Sequence, residues 1–255
     1  MNLKGLFLIF LLGWYSHTIA EHEPVIAVAA NFYPTLELIS SRYTALTGEP
    51  LRLVSGASGT LALQIERGAP FELFLSADES YVKHLYEQGF TIDEGRIYAC
   101  GRLVIFVSQS IDTADVTDVD LFLKQLDISG IKRIALANPE LAPYGKAAKM
   151  VLEKYQLWGD NGPYEFIQAE NVGQTAQFIL TGTVDMAFLP LSLSIHPRIR
   201  ELGNIMIIPA NWHQPLYQRM VLMNGAGLTA SGFYKYLSGE TALQLIRQQG
   251  YEAPE

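Results

Sequence analysis

The chain has 255 residues, 49% hydrophobic and 17% charged, with 21 glycines and 12 prolines, which excludes a disordered, collagen-like or coiled-coil protein. A formal charge of -8 and an isoelectric point near 5.2 leave no basic footprint for nucleic acid. The single cysteine, Cys100, rules out an internal disulfide, a zinc finger and an iron–sulfur cluster.

The first twenty residues read as an export signal. Lys4 precedes an uncharged apolar run from Leu6 to Trp14, and Thr18-Ile19-Ala20 leads into Glu21, so cleavage is expected after Ala20. The run is too short for a membrane-spanning helix, and no cysteine follows it to carry a lipid anchor. Lys4 is the one charged residue of the leader, so 18 basic residues become 17 against 26 acidic ones, a net -9. An acidic exported chain with one thiol suits a bacterial periplasm.

Along the mature chain, β-rich runs alternate with helical ones. Val25 to Ala30 reads as a buried strand, and the helical spacing of Leu36, Ile39, Tyr43 and Leu46 follows it, stopped by Gly48. Leu51 to Ser55 is a strand, Gly56 to Thr60 a turn, and Leu61 to Arg67 a helix ended by Gly68. Phe71 to Ser76 is the next strand, with Asp78 and Ser80 as helix-start residues before Val82, Leu85 and Tyr86. Three such cycles predict a mainly parallel sheet covered by helices. Leu103 to Val107 begins a second unit, and an acidic, less regular stretch from Asp112 to Asp120 follows. Strands are then expected at Ile131 to Ala137, Tyr164 to Gln168, Val184 to Leu189, Ile205 to Ile208 and Tyr217 to Met223. Helices are expected at Gly145 to Gln156, Val172 to Leu180, Ser231 to Leu237 and Thr241 to Gln248.

Two α/β units imply a cleft, and such sheets place ligands where strands end and helices begin. Four of these turns share one chemistry: Ala30-Asn31, Ala57-Ser58-Gly59, Pro143-Tyr144-Gly145 and Asn171-Val172-Gly173. Each offers backbone N–H groups at a helix start, and helix N-termini carry unsatisfied donors and a positive dipole end. Converging, they would hold a small anion without any lysine or arginine. Taken singly, Asn31 and Asn171 are ordinary caps, Ser58 a turn residue and Tyr144 a half-buried aromatic.

These segments, in order, resemble the periplasmic molybdate-binding proteins of ABC transporters. The resemblance is carried by Val28-Ala29-Ala30-Asn31-Phe32, Gly56-Ala57-Ser58-Gly59-Thr60-Leu61 with Gln64-Ile65 and Gly68-Ala69-Pro70, and Phe74-Leu75-Ser76-Ala77-Asp78. It continues in Asn138-Pro139, Ala142-Pro143-Tyr144-Gly145, Glu170-Asn171-Val172-Gly173-Gln174 and Gly250-Tyr251. It implies an α/β, two-lobed type II periplasmic binding fold with a ligand cleft between the lobes. Residues 21–102 and 213–255 would form one lobe and 103–212 the other, with crossovers near Gly101 to Leu103 and near His213. The ligand would be molybdate or tungstate, bound by Asn31 and Ser58 from one lobe and by Tyr144 and the Val172 N–H from the other. The metal arrives inside the oxyanion, so no side chain ligates it and no cofactor is implied. The partner would be the membrane permease of an ABC transporter, served by a monomer that is not an enzyme. Some relatives place a binding tyrosine where this chain has Pro190, which has no donor, so the hydroxyl is assigned to Tyr144. Where relatives can bind through a hydroxyl just before the asparagine, Ala30 could offer only its N–H.

A dianion that accepts but never donates is satisfied by N–H and O–H groups aimed at its oxygens. A cage of that size would discriminate against sulfate, since each donor left buried and unpaired costs roughly 1 to 3 kcal/mol. Receptors for sulfate or another oxyanion, and a secreted serine hydrolase using Ser58, are the alternatives. The hydrolase reading lacks the G-x-S-x-G spacing and a placed Asp/His pair. His84, His196 and His213 have no metal spacing and read as structural or surface residues. Asp78-Glu79 reads as a helix start or a face toward the transporter, and Cys100 as a small buried hydrophobe.

Overall fold

The structure is a computed structural model that describes residues 23–111, 118–126, 130–159 and 163–252. The expected leader and most of the acidic stretch after Asp112 lie outside the described residues. The chain begins β1 (Val25–Ala29), α1 (Tyr33–Thr47), β2 (Arg52–Gly56), α2 (Ser58–Glu66), β3 (Phe71–Leu75), α3 (Ser80–Glu87) and β4 (Arg96–Gly101). It crosses at Arg102 into β5 (Leu103–Ser108), α4 (Val119–Lys124), β6 (Arg133–Ala137), α5 (Pro143–Lys154), β7 (Glu165–Ala169), α6 (Val172–Leu180), β8 (Met186–Pro190), α7 (Leu191–Ser194), α8 (Pro197–Arg200) and β9 (Gly203–Ile207). A 3-10 turn at Ala210–Trp212 then leads back to β10 (Leu216–Leu222), α9 (Leu228–Leu237) and α10 (Glu240–Gln248).

Two five-stranded sheets result, in the orders β2-β1-β3-β10-β4 and β7-β6-β8-β5-β9. Each corrects the expectation of a mainly parallel sheet in the same way. β1 pairs in parallel with β2 and β3, while β10 runs antiparallel to β3 and β4. β6 pairs in parallel with β7 and β8, while β5 runs antiparallel to β8 and β9. The reversed strands β5 and β10 are the first to follow each crossover. They enter from the opposite lobe and not through a helical crossover from a neighbouring strand, the connection that parallel neighbours require.

β3, β5 and β8 are apolar almost throughout because helices cover both faces of their sheets. On the first sheet, α1, α9 and α10 pack one face through Leu36, Ile39, Phe233 and Ile246. α2 and α3 pack the other through Leu61, Ile65, Val82 and Leu85. The second lobe's core, centred on Leu103 to Val107, extends to Ala29, Ala30, Ala57 and Ala77 of the first lobe. Those four small residues let the lobes meet.

Helix α2 starts at Ser58, three residues earlier than expected, because Ala57 holds an extended cap conformation (φ -68°, ψ 143°) and the Leu61 N–H already bonds to Ala57 O. Strand β4 is absent from the sequence expectations; it is an edge strand whose Arg96 is exposed and whose apolar content is mixed. Helices α4, α7 and α8, also unexpected, span only four to six residues, too few to show a helical period. Among the described residues no helix is long and apolar enough to cross a membrane.

Candidate functional site

The C-terminal ends of β1, β2 and β3 meet the N-termini of α5 and α6 around one small cavity. Its lining includes Ala30, Asn31, Ser58, Tyr144, Asn171 and Val172. The centre of a water-sized sphere has only about 10 Å³ to move in there, far below the roughly 300–1,000 Å³ of pockets for drug-sized ligands. No side chain of the lining is ionisable except the Tyr144 phenol. Asn31 and Ser58 are each 1% exposed, Tyr144 2% and Val172 4%. The lobes touch around this point: the Gly59 N–H donates to Leu141 O at 2.9 Å, and Ser192 Oγ donates to Asn31 O at 3.2 Å.

Each wall supplies a donor whose direction is set by a neighbour. Ser58 Oγ accepts the Ala77 N–H at 2.9 Å, which leaves its own proton to donate. Asn171 caps α6 by accepting the Gly173 and Gln174 N–H groups at 2.9 and 3.1 Å. The cap takes the second and third N–H groups of the helix and leaves that of Val172, the first, without a protein partner among the described residues. The Asn31 and Ser58 N–H groups are likewise unpartnered there. Gly145 permits α5 to begin this close to the sheet, since a Cβ there would overlap the carbonyl of Ala137.

Behind the cavity lies a fully buried polar cluster centred on Gln218 of β10. Its Oε1 accepts from Asn31 Nδ2 and from Tyr98 Oη, each at 2.9 Å, and its Nε2 donates to Tyr144 Oη at 3.1 Å. Asn31 Nδ2 also donates to Tyr251 Oη at 3.0 Å, and Tyr251 Oη lies 2.8 Å from Asn31 O and 2.9 Å from Ser192 Oγ. Burial raises the pKa of Tyr98, Tyr144 and Tyr251, so all three hydroxyls keep their protons at any working pH. Tyr144 accepts from Gln218 and therefore presents its proton elsewhere.

The structure thus brings Asn31, Ser58, Tyr144 and Val172 to one cavity, with changes in how two positions contribute. The Asn31 amide group is held by Gln218 and Tyr251, so its backbone N–H is the donor left over. The Ala30 N–H, expected to be available, donates to Gly56 O at 2.9 Å. That bond continues the β1–β2 ladder beyond Ala29. Tyr144 is wholly buried, not half-buried. Pro190 closes β8 and precedes Ser192, which reaches Asn31 across the interface. Gln218, Tyr98 and Ser192 were not singled out in the sequence, and Tyr251 only as part of an ending. A glutamine at an inward position of a strand otherwise carrying Leu216, Met220 and Leu222 was the available signal for Gln218.

The other residues considered fall outside the cavity. His84 pairs with Glu66 at 2.9 Å on the surface, His196 precedes α8, and His213 is buried at the returning crossover. Asp78 accepts the Tyr81 N–H at the start of α3, while Glu79 pairs with Arg219 at 2.7 Å and Lys83 at 3.2 Å. Cys100 is only partly buried, on edge strand β4, where it bridges to Glu252.

The profile of the family described as "Bacterial extracellular solute-binding protein" matches residues 24–252. The chain is 33% identical over 235 residues to the molybdate-binding protein ModA of Rhodobacter capsulatus, covering 91% of this chain and 89% of that one. It is 32% identical over 232 residues to ModA of Azotobacter vinelandii, covering 90% and 89%. The solved structure of the Azotobacter vinelandii periplasmic molybdate-binding protein has a TM-score of 0.81 and 29% identity, covering 91% of this chain and 100% of that one. The fold is therefore the two-lobed type II periplasmic binding fold, and the chain belongs to the bacterial extracellular solute-binding proteins, alongside the periplasmic molybdate-binding proteins.

Proposed function

We propose that this protein captures molybdate or tungstate between its lobes and delivers it to the membrane permease of an ABC transporter. It would act as an exported, periplasmic monomer without enzymatic activity, its leader removed after Ala20. The lobes are divided at the two crossovers, with 21–102 and 213–255 in one and 103–212 in the other. The observation that carries this reading is the gathering of residues with uncharged donors from both lobes around one small cavity: Asn31, Ser58, Tyr144 and Val172. A doubly negative tetrahedral ion accepts from all of them and donates to none, so it would be solvated by the cage as by water. Because the donors come from both lobes, the ion binds the closed form better than the open one and shifts that equilibrium, giving the permease a signal of loading.

The cage would also select among oxyanions. Sulfate, smaller with the same charge, would leave donors unpaired, and protonated phosphate would bring a donor to a shell of donors. The hydrolase reading fares poorly because the lining holds no His, Asp or Glu to take a proton from Ser58, whose oxygen is already engaged with the Ala77 N–H. Calorimetry of the ion-free protein with molybdate, tungstate and sulfate tests the proposal. Tight binding of the first two and weak or no binding of sulfate is expected. Equal or preferred binding of sulfate would assign the site to another oxyanion.

A further inference from the structure

We infer that Gln218, which does not line the cavity, is the positioning residue that makes Tyr144 a hydrogen-bond donor to the bound oxyanion; the inference rests on the function proposed above. A phenol oxygen beside an amide can either accept from its NH2 or donate to its carbonyl, and only the first arrangement leaves the phenol proton for a ligand. Here the choice is dictated from the far side of the amide. Asn31 Nδ2 donates to Gln218 Oε1 at 2.9 Å, and Tyr98 Oη lies 2.9 Å from the same oxygen and 3.3 Å from Ser76 O, an arrangement in which Oε1 is the acceptor and Nε2 turns toward Tyr144 Oη at 3.1 Å. Gln218 is 0% exposed, so no water competes for either end.

The placement also joins the lobes. Gln218 stands on β10 of the first lobe and Tyr144 on α5 of the second, so this hydrogen bond exists only when the lobes are together. Asn31, on the same amide, belongs to the first lobe's half of the cage. One side chain therefore sets the proton direction on one wall and the backbone position of the other. The titratable groups around it are the phenols of Tyr98, Tyr144 and Tyr251 and, beside Tyr144, the Cys100 thiol.

Two substitutions separate positioning from space-filling. Gln218→Met keeps the bulk and removes the amide; Gln218→Glu puts an acceptor against Tyr144 when ionised and a donating hydroxyl there when protonated. Molybdate calorimetry from pH 5 to 8.5, with unfolding curves to verify folding, is the measurement. Gln218→Met is expected to lose about tenfold or more in affinity, the scale of one hydrogen bond to a charge. Gln218→Glu is expected to lose more than that at pH 8.5 and to recover as pH falls, while the wild type stays flat. Flat, matching losses for both variants, or wild-type affinity in either, would overturn the inference. Should the Glu variant not fold, Gln218→Met in a Tyr144→Phe background decides. No further loss there is expected, and a full additional loss would overturn the inference. A wild type that does not bind molybdate would instead refute the proposed function.

Discussion

Gly101 lies directly against the Tyr144 hydroxyl: a Cβ at position 101 would overlap Tyr144 Oη and come within 2.8 Å of Gln218 Nε2. The last residue of β4 is thus glycine because the phenol of the other lobe fills the space a side chain would occupy. Gly101→Ala is expected to push Tyr144 away from Gln218 and the cavity, at about 1–3 kcal/mol for overpacking. Molybdate affinity should fall about tenfold or more while the protein stays folded, as read by calorimetry and circular dichroism. Unchanged affinity would mean that Tyr144 does not need this seat.

Tyr144→Phe removes the phenol oxygen and keeps the ring. The bound ion loses one hydrogen bond to a charge, about 1.5–3 kcal/mol, which corresponds to roughly 10- to 150-fold in Kd. The same substitution leaves Gln218 Nε2 buried without its acceptor, so the protein should also unfold at lower denaturant, by about 1–3 kcal/mol. Affinity and stability are therefore expected to fall together. A stability loss with unchanged Kd would remove Tyr144 from the cage and leave it a core residue.

Asn171→Ala tests the second lobe's backbone donor. Asn171 Oδ1 accepts two N–H groups at the start of α6 and so fixes the turn from which the Val172 N–H projects. Losing the cap should cost about 0.5–2 kcal/mol of stability. Fraying of that first turn should also weaken molybdate binding, whereas Asn171→Asp, which keeps the acceptor, should retain the stability and add a negative charge beside the ion. The Asp variant is thus expected to be stable but weak in binding, checked by urea unfolding and calorimetry on both proteins. Equal affinity in all three would place Val172 outside the cage.

Why the cage was legible and its support was not follows from sequence distance. Ser58, Tyr144 and Val172 each belong to a short strand-to-helix turn whose residues are neighbours in the chain, so local chemistry marks them. Gln218 meets Asn31 across 187 positions and Tyr144 across 74, and Tyr251 meets Asn31 across 220. No local pattern predicts such a meeting; only the return of β10 between β3 and β4 creates it. The same return strand produced the antiparallel half of the first sheet, which a reading of successive β-α-β cycles could not see. Asn31 shows both sides of this. Its place at the cavity was readable from its turn, but the engagement of its amide by Gln218 and Tyr251 required the fold.

His213 and Arg102 occupy the two crossovers between the lobes, and their electrostatics predict a dependence on pH. His213 Nδ1 lies 2.7 Å from Gln214 O and carries the proton, while Nε2 is buried with no hydrogen-bond partner among the described residues. Burial lowers the His213 pKa, the Gln214 carbonyl pulls it part of the way back, and the nearby Arg102 guanidinium adds a smaller downward push. The unfolded chain therefore binds a proton at higher pH than the folded one, and folding stability rises with pH between the two values. The full contribution is present above the ordinary histidine pKa of about 6.5 and fades as pH falls from there toward the depressed folded value. Asp78, whose pKa burial raises, slopes the opposite way in a more acidic range, and its effect is the same with or without His213. Thermal unfolding of the wild type and of His213→Gln, compared from pH 7.5 to 5, should give Tm curves that converge as pH falls, the wild type losing more. Parallel curves would mean that His213 titrates alike in the folded and unfolded chains and that the crossover carries no such penalty.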